Sequence, residues 1–221
     1  MPLAFDPADP IPRIPLEEQD LTETRRHAVA VDAWLGLSVE AVEKTLPPDL
    51  SRRTGQQLWQ QIPAQRMLTP YVELRAILEV LALPDGATLV DLGAAYGRLG
   101  VVAALHFPTL ACVGYEYVLE RVLEGRRALS RVGGRATLER ADLSARVFKP
   151  PEADAYFIFD YGTREAIEKT LEDLRAIARR RAIAVVGRGR AIRDAVEHRE
   201  RWLTDVVAPR HFLNFSIYRN R

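Results

Sequence analysis

From residue 71 onward, short apolar runs alternate with stretches of helical periodicity, and this alternation constrains the fold more than any other feature of the chain. Leu74, Ile77, Leu78 and Leu81 recur at helical spacing in 71–83, and Pro84-Asp85-Gly86 then makes a turn. ATLVDLG (87–93) has the β-branched, continuously apolar character of a buried strand. Helix is expected at 97–107, a second strand at 111–116 and a charged amphipathic helix at 117–130. Further strands are expected at 136–140, 155–160 and 182–187, with a long amphipathic helix at 164–181. Two closing strands are expected at 202–207 and 212–219. Elements of these lengths in this order imply an α/β fold: a doubly wound, mainly parallel seven-stranded sheet with helices on both faces and an antiparallel pair at its end.

The preceding residues read differently. Residues 1–16 hold five prolines, so they are expected as an extended or disordered arm whose Phe5, Ile11 and Ile14 lie against the body. Residues 17–66 read as a helical N-terminal cap, with helices over 17–46, a short second one at 39–46 stopped by Pro47-Pro48, and a polar candidate at 51–63 carrying Trp59. The main domain then spans 67–221. Charge balance is nearly even, 31 basic against 30 acidic residues, so no global field draws the chain to nucleic acid or membrane. One cysteine, Cys112, excludes an internal disulfide framework and a cysteine-rich zinc site. The four histidines show no ligand spacing, so no metal site is expected. No apolar run approaches the ~20 residues that cross a bilayer, and the proline-rich start has no signal-peptide core; a cytoplasmic setting is expected.

The segment TLVDLGAAYGRLGVVAALHF (88–107) is strand, glycine turn, helix. Gly93 lets the chain leave the strand sharply, Gly97 lets backbone approach a ligand, and Gly100 lets the helix sit close to the sheet. The helix start offers unpaired N–H groups to that ligand. Glu116 stands at the end of the second strand, where a carboxylate accepts both hydroxyls of a ribose. The glycine spacing, Gly93-x-x-x-Gly97-x-x-Gly100, departs from the G-x-G-x-x-G of dinucleotide sites, which disfavours a nicotinamide-dependent oxidoreductase. Asp91, two residues before the first glycine, would repel a pyrophosphate and suits an ammonium group.

Through V-D-L-G-A-A-Y-G-R-L-G (90–100) and G-Y-E (114–116), the chain resembles the class I, Rossmann-like, seven-strand S-adenosylmethionine-dependent methyltransferases. With Thr69-Pro70-Tyr71 added, it is also similar to the seven-strand protein-lysine methyltransferases, over roughly residues 66–187. The resemblance implies S-adenosyl-L-methionine as cofactor. Asp91, Gly93, Ala95 and Gly97 would hold its methionine end, with Ala95 standing where the pattern has glycine. It also implies that Glu116 holds the ribose, that Asp142 bonds the adenine amine and that Leu143 packs beside the base. Asp160 and Tyr161 fall where the methyl acceptor enters, Asp160 orienting an amine or taking its proton through water, while Tyr71, Tyr96 and Tyr161 supply aromatic walls. The acceptor implied is a protein side-chain amine, with a small molecule as the alternative, and a degenerate, non-catalytic binding module as a further one. No N-P-P-Y follows the fourth strand, which argues against planar amides and base amines as acceptors. Residues 175–201 hold nine arginines against three acids, a surface that could contact RNA phosphates or be a solvated face.

Overall fold

Leu89 on one side and Val90 and Leu92 on the other make the first strand apolar on both faces, as a strand covered by helices on each side requires. It forms β1 (Thr88–Leu92) in the structure, a computed structural model that describes residues 3–51, 58–60 and 62–221. The other strands are β2 (Ala111–Glu116), β3 (Ala136–Arg140), β4 (Ala155–Phe159), β5 (Ala184–Arg188), β6 (Arg210–His211) and β7 (Phe215–Arg219). They make one seven-stranded sheet of order β3-β2-β1-β4-β5-β7-β6. β1 to β5 are mutually parallel, while β7 runs antiparallel to both β5 and β6. The order reverses between β1 and β4, because the chain leaves the β3 edge and returns to the centre. In open α/β sheets the crevice outside the carboxyl ends at such a reversal is where ligands bind.

Eight helices belong to the described residues: α1 (Leu21–Trp34), α2 (Val39–Thr45), α3 (Ala64–Met67), α4 (Tyr71–Leu81), α5 (Arg98–His106), α6 (Leu119–Val132), α7 (Arg164–Ala178) and α8 (Arg190–Arg199). Alternate strand residues point to opposite faces and build two cores. On one face Leu89, Cys112, Leu138, Phe157 and Val186 meet Val31 of α1, Ile77 of α4, Val102 of α5 and Val122 of α6. On the other, Val90, Leu92, Ile158 and Val185 meet Leu171 and Leu174 of α7 and Ile192 and Val196 of α8. The first core is continuous with the cap, and it takes in Ile11 of the proline-rich arm. That arm is laid on the body, with Phe5 packed against the rings of His27 and Trp34.

Buried ion pairs tie the cap down. The Arg98 guanidinium donates to the Asp32 carboxylate, to Gln65 Oε1 (2.9 Å) and to the Thr69 carbonyl (3.3 Å), and it lies 4.8 Å from the Tyr71 ring centre. Tyr71 completes the cluster by donating its hydroxyl to Asp32 (2.8 Å). Glu43 of α2 accepts from Tyr96 (2.6 Å) and from two nitrogens of Arg121 on α6 (2.8 and 3.0 Å). Truncating one partner of such a buried pair costs about 3–5 kcal/mol, because the other charge is left uncompensated.

One expectation is corrected, and one element was not anticipated. Residues 202–207 are not a strand: Arg201–Leu203 make a 3-10 turn closed by hydrogen bonds from Thr204 and Asp205 to the Arg201 carbonyl, and the sixth strand is the short Arg210–His211. The segment 190–199 is a helix that the arginine count concealed, since its apolar face is only Ile192, Ala195 and Val196. Of the helix expected at 51–63, residues 52–57 and 61 lie outside the described residues.

Candidate functional site

Past Leu92 the chain turns away from the sheet through Gly93 at φ +89°. A Cβ on Gly93 would stand 2.7 Å from the Cβ of Tyr161, so neither the conformation nor the space admits a side chain. The turn is hung on β2, since the Gly93 and Ala94 amides both donate to the Tyr115 carbonyl (3.0 and 2.9 Å). Ala95 follows in the left-handed region at φ 47°, and its amide donates to Glu116 Oε2 (2.9 Å). The other oxygen, Glu116 Oε1, accepts from the Val118 amide (2.8 Å) at the start of α6. Glu116, 6% exposed, therefore clasps both loops that leave the switch point. Arg121 stands 3.9 Å away as its counter-charge and reaches across to donate to the Trp59 carbonyl (2.8 Å).

These loops rim a narrow hollow at the switch point. Gly93, Ala95, Glu116, Asp142, Leu143 and Tyr161 all line it, so the structure brings together six of the residues singled out from sequence. Asp142 sits in the loop after β3, where Oδ1 accepts from the Ser144 amide (2.9 Å) and hydroxyl (2.6 Å). Tyr161 presents its ring to the hollow and sends its hydroxyl to Thr170 on α7. Burial pushes that phenol up, which keeps it protonated.

Asp91 lies at the root of the turn, 5% exposed, and among the described residues no group donates a hydrogen bond to its carboxylate. Burial, reinforced by the Glu116 charge, raises its pKa from 3.8 to about 8. A buried carboxylate without a partner is costly unless a cation or donor arrives to meet it.

The remaining sequence candidates lie elsewhere. Gly97 takes φ +73° at the start of α5, but a Cβ there would meet Leu129 and Leu138 of the core, 3.5 Å away, and not the hollow. Tyr71 and Tyr96 are fully buried and hold the cap through Asp32 and Glu43. Asp160 turns its carboxylate away from the hollow to the start of α8, accepting from the Ala191 (3.0 Å) and Ile192 (2.8 Å) amides. Of the nine arginines in 175–201, Arg180, Arg181, Arg188, Arg190, Arg199 and Arg201 each pair with a carboxylate, so most of that charge is neutralised within the chain.

Sequence reasoning gave neither Trp59 nor Arg121 a role in the site. Trp59 covers the hollow from the cap side, its indole donating to the Asp160 carbonyl (2.7 Å). No local pattern marks it. Arg121 did carry a signal: it is an arginine beside Val122 on the apolar side of α6. Among the described residues no group of three or more His, Cys, Asp or Glu is placed to hold a metal ion, and no helix is long and apolar enough to cross a membrane.

No protein-family model matches the sequence, and no curated protein matches it. Solved structures do. The precorrin-6y C5,15-methyltransferase of Geobacter metallireducens GS-15 is 18% identical with a TM-score of 0.50, over 72% of this chain and 91% of that one. TrmN from Thermus thermophilus is 19% identical with a TM-score of 0.51, over 68% of this chain; the match spans only 48% of TrmN. An RNA methyltransferase from Salinibacter ruber in complex with S-adenosyl-L-homocysteine is 18% identical with a TM-score of 0.49, over 69% of this chain and 91% of that one. At these identities the likeness is one of fold. Together with the strand order and the antiparallel β7, the likeness to the first two shows that the chain has the Rossmann-like fold of the class I methyltransferases.

Proposed function

We propose that the chain is an S-adenosylmethionine-dependent methyltransferase whose donor site is the hollow at the switch point. The observation that carries this reading is the pair of buried carboxylates there: Asp91, without a hydrogen-bond donor among the described residues, at the root of a glycine turn, and Glu116 on the hollow's wall. The residues present fit such a ligand. Asp91 would meet the ammonium of the methionine end beside the bare backbone of Gly93. Glu116 uses two of the roughly four lone-pair positions of a carboxylate on backbone amides, which leaves acceptors for ribose hydroxyls. Asp142 would take the adenine amine, with Leu143 against the base. When bound, S-adenosylmethionine supplies a methyl group on a sulfonium, an electrophile that needs no further activation.

The protein's part is then to orient and to exclude water. Phe159 and Tyr161 make an apolar wall, Trp59 covers the opening, and Arg121 compensates Glu116 without entering the chemistry. A protein lysine as acceptor calls for a carboxylate to orient its amine, and Asp160 is engaged at the start of α8. The narrow, tryptophan-covered hollow supports the small-molecule alternative better. One observation favours the non-catalytic reading: Ala95 lines the hollow, where its methyl takes up space a glycine would leave.

The test is methyl transfer from labelled S-adenosylmethionine into a lysate separated into protein, RNA and small-molecule fractions. Label in the small-molecule fraction supports the reading. Label in protein restores the lysine acceptor, and bound donor with no label in any fraction supports the non-catalytic module. A protein that binds no donor refutes all three.

A further inference from the structure

Beside the donor hollow, and sharing Phe159 with it, lies a second, open groove at the ends of β4 and β5. Arg25 from α1, Arg66 from α3, Arg188 from β5, and Arg190 and Arg193 from α8 all line it. Arg188 pairs with Glu73 through two hydrogen bonds of 3.0 Å and stacks 4.3 Å from the Phe159 ring centre, so its side chain is fixed. Arg190 reaches Asp194 at 3.4 Å. Among the described residues Arg25, Arg66 and Arg193 have no carboxylate within ion-pair distance, and the buried Nε of Arg25 has no acceptor at all. Burial and the neighbouring Arg188 and Arg66 lower the Arg25 pKa, with Glu73 opposing them in smaller measure, so the like charges outweigh the anion. Five arginines face three carboxylates, Glu73, Asp194 and Glu197, so two positive charges are left over.

We propose that this groove binds a phosphate monoester dianion through Arg25, Arg66 and Arg193, and that the methyl acceptor is a small phosphorylated molecule anchored there. The second clause rests on the methyltransferase reading; the first does not. Arginine forks match phosphate oxygens in pairs, and a dianion balances the surplus where a phosphodiester would balance half of it. Phe159 and Arg188 are register partners at the two strand ends, so an anchored molecule needs to pass only over the Phe159 ring to reach the donor hollow.

The test is calorimetric titration of the whole protein with inorganic phosphate at pH 8 and constant ionic strength, with chloride as the control anion and a short single-stranded RNA without terminal phosphate as a second ligand. Saturable phosphate binding is expected, weakened tenfold or more in Arg25→Gln/Arg66→Gln. Arg193→Gln, a single change at a half-buried position, gives the same readout with a smaller loss should the double variant not fold. Absence of saturable binding, equal affinity in the variants, or RNA binding more tightly than phosphate overturns the proposal. Titration of the same proteins with S-adenosylhomocysteine reads the donor hollow separately. Phosphate binding without donor binding leaves the groove standing and removes the methyltransferase reading, and the converse removes the groove alone.

Discussion

Asp91→Asn should make the protein more stable and bind the donor less well, and both effects follow from one carboxylate. Burial and Glu116 hold Asp91 near a pKa of about 8, against 3.8 for a free carboxyl. Its folded-state pKa lies above the unfolded value, so between about pH 4 and pH 8 the native state holds a proton that the unfolded chain has lost. Stability therefore falls as pH rises through that window, by at most about 6 kcal/mol. The amide of the variant cannot ionise. Asp91→Asn should therefore match the wild type within about 1 kcal/mol at pH 4 and exceed it by a few kcal/mol at pH 8, read from urea midpoints. Donor binding inverts the balance, because an ammonium beside Asp91 favours the charged form. At pH 7 roughly nine-tenths of a proton should leave on binding S-adenosylhomocysteine. It is measured as the difference in binding enthalpy between two buffers of unlike ionisation enthalpy. Asp91→Asn should abolish that proton release and weaken binding by about 10–100-fold. A wild-type enthalpy that is the same in both buffers, or a variant with no pH-dependent gain in stability, would refute the argument.

Gly93→Ala should destabilise by about 2–4 kcal/mol, from the forbidden φ and the clash with Tyr161, and should abolish donor binding; a thermal melt and a titration check it. Ala95→Gly should cost no stability, gaining up to about 1 kcal/mol by relieving the left-handed alanine, and should tighten donor binding; a weaker Kd would contradict it. Asp160→Ala should remove the cap of α8, lowering stability by about 1–2 kcal/mol while leaving donor affinity unchanged, in the same two assays.

Much of the sheet was legible because its strands are locally consistent. β1, β2, β4 and β5 are short, mostly apolar runs bounded by turns, and the order of strands and helices leaves few topologies. The glycine turn was legible for the same reason: Gly93 serves a local bend. What stayed hidden depends on partners distant in sequence. Tyr71 and Tyr96 look like pocket aromatics in a motif, yet Asp32 and Glu43 of the cap draw them into the core. Asp160 looks like an acid at a catalytic strand end, yet the start of α8, well along the chain, takes its carboxylate. α8 itself was masked because three apolar residues carry its buried face among arginines and acids. The edge strand β6 has two exposed polar residues and offers no apolar signal, while the more apolar 202–207 curls into turns.

The central claim, that the hollow beside Gly93 and Glu116 holds a charged sulfonium donor, is tested most directly by equilibrium dialysis against methyl-labelled S-adenosylmethionine. One molecule bound per chain is expected, with affinity reduced about tenfold or more in Glu116→Gln, whose amide cannot serve both the backbone and the ribose as a carboxylate does. No retained label, or label retained equally by wild type and Glu116→Gln, would contradict it.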